Sequence, residues 1–594
     1  MLIWMLLACR GGLDADLDGY SVRVDCDDND ASLNLDDADG DGFDTCAGDC
    51  DDNDPLRWDQ TGTFAGNLDA AGVGAFCQGF CVRNVVGDAD LRDLDRVAPL
   101  DCLSSVEGTL TLTGSMPGLA GLEQLGQVAG DVVLADLPAV ATLAPLASLT
   151  MVGGSVTVAR LPGLSDLEGL GSIVTVPGDL VLESLPFEDP WVGLTALESV
   201  QGRLELRAMP NLKALPARAL AVGGLVIADH PGLVDVSGAS TLTLEGDLEL
   251  TRNDALRNLD GALGQGRVEG ALLLRGNGLT SLGGLADLTT VGGDFIIEDE
   301  GGLLTLDGLA NLSFVEGSVR IAGNGALGSL AGLEGLGAIG ADFFLLDNFA
   351  LQSVAALSGL RSVDGILQLE GNGALTASTG FEGLQSVGAL HIGPNGGLPE
   401  LEAFRSLEQV FSGDLDIQAG GALGALSTFP RLQTIAGTFR VENNDSLARI
   451  EGFDALTFVG GDIVLANNAS LEAITGFDEV GSVSGALRIG GNASLEAVTG
   501  WSALSFVANT FAIEDHSSLM TLGPFAQLQS VGALNIARNT GLGSLEGLNA
   551  LQSVLGDVVI TDNPCIPAAE ADSLVQGLGT TGGSVTLEGN DGPC

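Results

Sequence analysis

Gly317-Ser-Val-Arg-Ile-Ala-Gly-Asn324, continued by Leu327, Leu330, Leu333, Leu336 and Ile339, is one complete unit of this sequence. Val319 and Ile321 alternate with their neighbours as a short, half-buried strand does. The leucines then recur every three positions, which fits tight corners and short 3-10 turns better than an α-helix. Upstream, the anchor Gly-x-Φ-x-Φ (Φ apolar) recurs at Gly293, Gly270, Gly246, Gly223, Gly202, Gly178, Gly154, Gly130 and Gly108. Downstream it recurs at Ala341, Gly365, Gly388, Gly413, Gly437, Gly461, Gly485, Asn509, Gly532, Gly556 and Gly583. Most steps are 23 or 24 residues. A coil this thin cannot bury its own core, so neighbouring coils must stack on one another. The period predicts a mainly β solenoid of about 21 coils over residues 106–563. At ~4.8 Å per strand, twenty such steps make a rod roughly 100 Å long.

Composition narrows the function classes. The 594 residues include 79 Asp and Glu against 23 Lys and Arg, a net charge of −56. Phosphate neutralisation needs clustered basic residues, so no nucleic-acid partner is expected. Lys213 is the one lysine, which excludes a polybasic membrane patch. With 45% of residues hydrophobic, general disorder is excluded as well. Three histidines leave little room for His-based catalysis, and no nucleophile–base pair stands out. Gly323-Asn-Gly-Ala-Leu-Gly328 and Gly335-Leu-Gly-Ala-Ile-Gly340 match the dinucleotide fingerprint. Both are repeat corners with no helical period after them, so they carry no cofactor. The chain reads as a binding or structural protein, not an enzyme.

A polar position follows each strand at fixed offset: Asn253, Asn277, Asn324, Asn348, Asn372, Asn395, Asn444, Asn468, Asn492, Asn539 and Asn563. A buried amide there can bond the turn backbone of its own and adjacent coils. His230 and His516 occupy this position and read as structural substitutes for asparagine. The pattern Leu-x-Φ-x-x-Asn-x-x-Leu resembles leucine-rich repeats. The Gly-x-Leu-x-Ile opening with the Leu-x-Gly-Leu-x-x-Leu-x-x-Val closing is similar to the receptor L domain of growth-factor-receptor ectodomains. That resemblance implies a right-handed solenoid with protein recognition on a sheet face. This array is much longer than one L domain and has no Cys-rich furin-like module.

The N-terminal region differs. Residues 1–9 are apolar and end in Leu6-Leu7-Ala8-Cys9, which resembles a bacterial lipobox with Cys9 as the lipidated residue. A signal segment, a lipid anchor as the sole membrane attachment, and an outer-membrane or cell-surface location (alternatively secretion) follow from that reading. Residues 10–59 hold a duplicated aspartate array. Asp14, Asp16, Asp18, Asp25, Asp27, Asp28 and Asp30 are matched by Asp37, Asp39, Asp41, Asp49, Asp51, Asp52 and Asp54. Alternate aspartates on a tight loop suit calcium, which takes six to eight hard oxygens. The array resembles thrombospondin type 3 repeats, and calcium is the expected cofactor. Residues 60–105 read as a Cys-containing linker and N-terminal cap. Residues 564–594 read as a C-terminal cap with one helix over 568–578. A disulfide between Cys565 and Cys594 would bracket that cap. The other cysteines after Cys9, from Cys26 to Cys102, leave 15 connectivities open.

Within each strand the middle residue points away from the core, so successive coils stack these residues into a column. The column runs Leu273, Ile296, Arg320, Phe344, Gln368, His391, Asp416, Arg440, Val464 and Arg488. Mixed aromatic and arginine side chains are what interface hot spots favour. Ile296, Arg320, Phe344, Gln368, His391, Asp416, Arg440 and Arg488 are therefore the candidate contacts for a protein or glycan. A structural envelope or matrix spacer with no dedicated ligand is the alternative.

Overall fold

The computed structural model describes residues 37, 38, 40, 61–92, 94, 98–523, 525–592 and 594. The chain is a parallel β-solenoid of about 22 turns with a period near 24 residues, several 3-10 turns, and one helix, Ala568–Gly577. It divides into two compact units, Met1–Gly246 and Asp247–Cys594.

In the first unit the main ladder begins with Leu68–Asp69 and Ala89–Arg92, inside the region read from the sequence as linker and cap. It continues in parallel register through Leu110–Thr113, Val132–Ala135, Val156–Ala159 and Leu180–Glu183 to Ser199–Arg207 and Leu220–Ala228. A second sheet runs from Gly62–Phe64 to Met151–Val152. Cys77 and Cys102 are joined, with Cα atoms 5.5 Å apart, and Cys81 is also disulfide-bonded. The Arg83 guanidinium lies 4.4 Å from the Phe80 ring centre and 5.1 Å from that of Phe76, and donates to the Phe76 carbonyl at 2.6 Å. These contacts close the early coils with a cation–aromatic cluster.

In the second unit the main ladder runs in parallel register from Leu248–Thr251 to Val585–Glu588. Inward residues such as Val319, Ile321, Phe343 and Leu345 have no exposed surface. Each such side chain contributes about 1.5–3 kcal/mol of burial, which neighbouring coils supply jointly. A third short sheet, Ala425–Leu426 to Thr521–Leu522, forms on another side of the later coils. The anchor glycines are explained by crowding. A Cβ on Gly317 would lie 2.5 Å from Asp294 Oδ1 and 2.6 Å from the Gly293 carbonyl carbon.

Two ladders of polar side chains run along the coils. In the first, Asn348 Oδ1 accepts the Asn324 backbone N–H and side-chain amide, each at 3.1 Å, while Asn348 Nδ2 donates to the Ile321 carbonyl at 2.9 Å. The same pattern repeats along the slot, and these asparagines are buried. The residue before the slot takes a left-handed backbone, as at Asp347 (φ 53) and Gly371 (φ 72), a conformation that Asp, Asn and Gly tolerate best. The second ladder sits beside the anchor glycines. Asp294 Oδ1 accepts the Ser318 N–H at 2.8 Å, and Asp414 and Asp462 do the same for Thr438 and Ala486, each at 2.7 Å.

At the C-terminal end, the Cys565 and Cys594 Cα atoms are 4.9 Å apart across a disulfide. The helix is tied down by Glu570, whose Oε1 accepts the Leu545 N–H at 2.6 Å and the Ser544 hydroxyl at 2.8 Å.

Candidate functional site

The outward column of the second unit is assembled by strand register alone. Ile296 pairs with Arg320, Arg320 with Phe344, Phe344 with Gln368, Gln368 with His391, His391 with Asp416, and Asp416 with Arg440. Val464 then separates Arg440 from Arg488. Arg488 is exposed, and the other seven candidate contacts are half-buried, their flanks covered by neighbours in the stack.

The arginines of this column are not bare. Arg320 and Arg275 both reach Glu298, the latter at 2.7 Å. Burial alone would raise the Glu298 carboxyl, but the two guanidinium groups outweigh it and hold the group below its usual range. Arg440 lies 3.6 Å from Asp416 and 3.3 Å from Glu442. Arg488 reaches Glu514 at 2.8 Å, and Arg538 reaches the same carboxylate at 3.2 Å. The Arg320 guanidinium also stands 5.8 Å from the Phe344 ring centre. The sequence reading singled out the arginines and missed these glutamates. Their signal was present, because Glu298, Glu442 and Glu514 each end a main-ladder strand two residues past the middle position.

At the centre of the column lies a depression of about 210 Å³ around His391, walled by Gln368 and Glu370 on one side and by Asp416 and Gln418 on the other. The Gln368 amide donates to Glu370 at 2.8 Å, and the Gln418 amide spans both Asp416 oxygens at 3.2 and 3.3 Å. Beyond Pro394 a wider trough of about 500 Å³ is floored by glycine corners and edged by Phe349, which is 64% exposed.

His230 and His516 are fully buried in the asparagine slot. His230 Nδ1 lies 3.1 Å from the Met209 backbone nitrogen and 3.2 Å from the Met209 carbonyl, and Nε2 faces the Leu206 carbonyl at 3.0 Å. Burial pushes both imidazoles below the ordinary histidine value, which suits ladder members better than acid–base groups. Glu300 occupies the slot as well, an occupant the sequence reading did not include. The ladder also has a gap. The coil before Asn444 turns this corner with Ala419 and Gly420, and the buried Asn444 Oδ1 has no hydrogen-bond partner among the described residues.

Cys9 and the aspartate array lie outside the described residues, except for Asp37. Asp37 is exposed, and its Oδ1 accepts the Gly40 N–H at 2.7 Å. Among the described residues, no group of three or more His, Cys, Asp or Glu side chains is placed to hold a metal, and no helix is long and apolar enough to cross a membrane. A comparison with known protein families finds no matching family model, and a comparison with curated proteins finds no match either.

Proposed function

We propose that this chain is a non-enzymatic, cell-surface lipoprotein that uses the outward strand face of its solenoid to recognise a protein or glycan. The aspartate repeats are its calcium-stabilised stalk, similar to thrombospondin type 3 repeats, and lipidated Cys9 is its anchor. The likeness of the coils to leucine-rich repeats and the receptor L domain supports recognition on a sheet face. The observation that carries the reading is the run from Arg320 to Asp416. There a guanidinium and an aromatic ring stand on consecutive coils, followed by amides, an imidazole and carboxylates around a depression, all held by a buried and hydrogen-bonded frame. Rigidly placed, chemically mixed groups of this kind lose little entropy when a ligand docks.

The test compares capture of envelope proteins and glycans by the wild-type chain and by an Arg320→Ala, Phe344→Ala, Arg440→Ala variant. Alanine is the informative choice at Arg320 and Arg440, since charge reversal would force like charges onto Glu298 and Asp416. Loss of capture with near-wild-type melting is expected. Undiminished capture would place recognition elsewhere.

A further inference from the structure

In the second unit the outward face carries a strand-end glutamate at every third coil: Glu298, Glu370, Glu442, Glu514 and, on the last coil, Glu588. Three of them hold arginine, as described above: Arg275 and Arg320 on Glu298, Arg440 on Glu442, and Arg488 with Arg538 on Glu514. Glu588, on the last coil, and Glu370 stand in the same position without one among the described residues, and of the two only Glu370 is followed by a further coil. Its side-chain partner is the neutral Gln368 amide. In the coil after Glu298, the middle residue is Arg320; in the coil after Glu370, that place is taken by His391. The strand-end position beside His391 is Gly393, so no side chain fills the space there. The result is the depression of about 210 Å³, with Asp416 on its far wall.

We propose that this depression is a docking site for the guanidinium of an arginine side chain presented by a partner polypeptide. The inference rests on the recognition-face reading and names the partner's chemistry. The protein itself supplies the template, because on this face arginine is what its strand-end glutamates bind. Glu370 keeps acceptor positions beyond the Gln368 amide, and Asp416, touched by the Gln418 amide and by Arg440 at 3.6 Å, retains fewer, since a carboxylate offers about four lone-pair sites. A guanidinium presents a planar fork of donors that can serve two carboxylates at once, whereas an ammonium is a compact point charge. At ~30 Å³ per water the depression holds about seven waters, enough for a guanidinium head. An overall charge of −56 adds long-range attraction for a basic partner.

The experiment uses the full chain with histidine ring carbons labelled, so that His391 reports on the site while buried His230 and His516 serve as controls. N-acetyl-argininamide is titrated to about 50 mM, a range suited to one solvent-exposed ion-pair site. A saturable shift of the His391 signal alone is expected, with N-acetyl-lysinamide and putrescine at least tenfold weaker. Ligand-observed saturation transfer then tests two variants. Glu370→Gln should weaken binding at least tenfold. His391→Arg, which rebuilds the Arg320–Glu298 pairing in the site, should abolish it, with melting unchanged in both. An Arg-containing tripeptide should bind at least as well as the single residue. No saturable His391 shift, equal binding of the lysine probe or putrescine, or wild-type binding by Glu370→Gln overturns the proposal. The Phe344 variant described above leaves Glu370 and His391 in place. Its loss of capture together with a silent His391 would therefore overturn this inference and leave the recognition face standing.

Discussion

Glu300 receives the Asn277 side-chain amide at 2.8 Å and the Asn277 backbone N–H at 3.1 Å on a single carboxylate oxygen. In neighbouring coils an asparagine carbonyl fills that role, so a titratable group sits inside an otherwise neutral ladder. Burial pushes the Glu300 carboxyl above its ordinary value, opposed by the Asn277 hydrogen bonds. The folded chain therefore holds this proton to higher pH than the unfolded chain does. The contribution of this group to stability is fully present below the unfolded glutamate value of about 4.3 and is lost as pH rises through the raised folded value. Glu300→Gln should stabilise the protein at neutral pH by about 1–3 kcal/mol, the usual cost of a poorly compensated buried polar group. Melting curves from pH 4 to 8 check this: the gap between variant and wild type should open with rising pH. A gap independent of pH would show that Glu300 is not the source.

Removing one amide from the ladder should cost different amounts at different coils. Asn348→Ala strands the Asn324 N–H as well as the Ile321 carbonyl. Asn444→Ala strands the Ile417 carbonyl, but the coil before it offers no amide to the Asn444 oxygen. Asn348→Ala is therefore expected to be the more destabilising by about 1–3 kcal/mol. Urea denaturation midpoints measured side by side decide it, and equal losses would contradict the ladder account.

Phe381, Phe404, Phe429, Phe453, Phe477 and Trp501 form an internal column, with adjacent ring centres 4.5 to 5.7 Å apart. Phe453 also meets Phe439 at 4.9 Å. Phe453→Ala should cost about 3–5 kcal/mol, the range for emptying a buried aromatic site. Trp501 is 1% exposed, so red-shifted emission at lower urea than in the wild type is the expected signal. An unchanged midpoint would mean the coils close over the space.

Calcium should bind to the duplicated aspartate array, with at least two ions on residues 13–58 and protection of that region from proteolysis. Asp16→Ala and Asp39→Ala should each remove one site in calorimetry carried out after chelation. No heat of binding, or an unaltered digestion pattern, counts against the stalk reading.

The coil period, the strand positions and the outward column were legible because one rule repeats along the chain. Val319 and Ile321 point inward and Arg320 outward in each retelling of the unit, and parallel register does the rest. The asparagine slot was legible for the same reason. What escaped were relations between coils. Asp294 follows an anchor glycine, as Asp462 does, but its bond to the Ser318 backbone exists only once the coils are stacked. Arg320 read as an exposed hot-spot residue because Glu298 lies 22 positions before it. Only the 4.7–4.9 Å spacing of neighbouring strands brings such residues together. Glu300 was passed over because it breaks the residue type that defines its slot.

The Cys565–Cys594 bond determines how the chain would carry a mechanical load. Tension applied at Cys594 passes through the sulfur bridge to Cys565 and leaves the residues between them slack, including the helix and the strand Val585–Glu588. A pull from that end therefore reaches the coil at Val558–Thr561 without first unwinding the last one. Reduction removes this shunt, and the final coil then becomes the first to peel away under force.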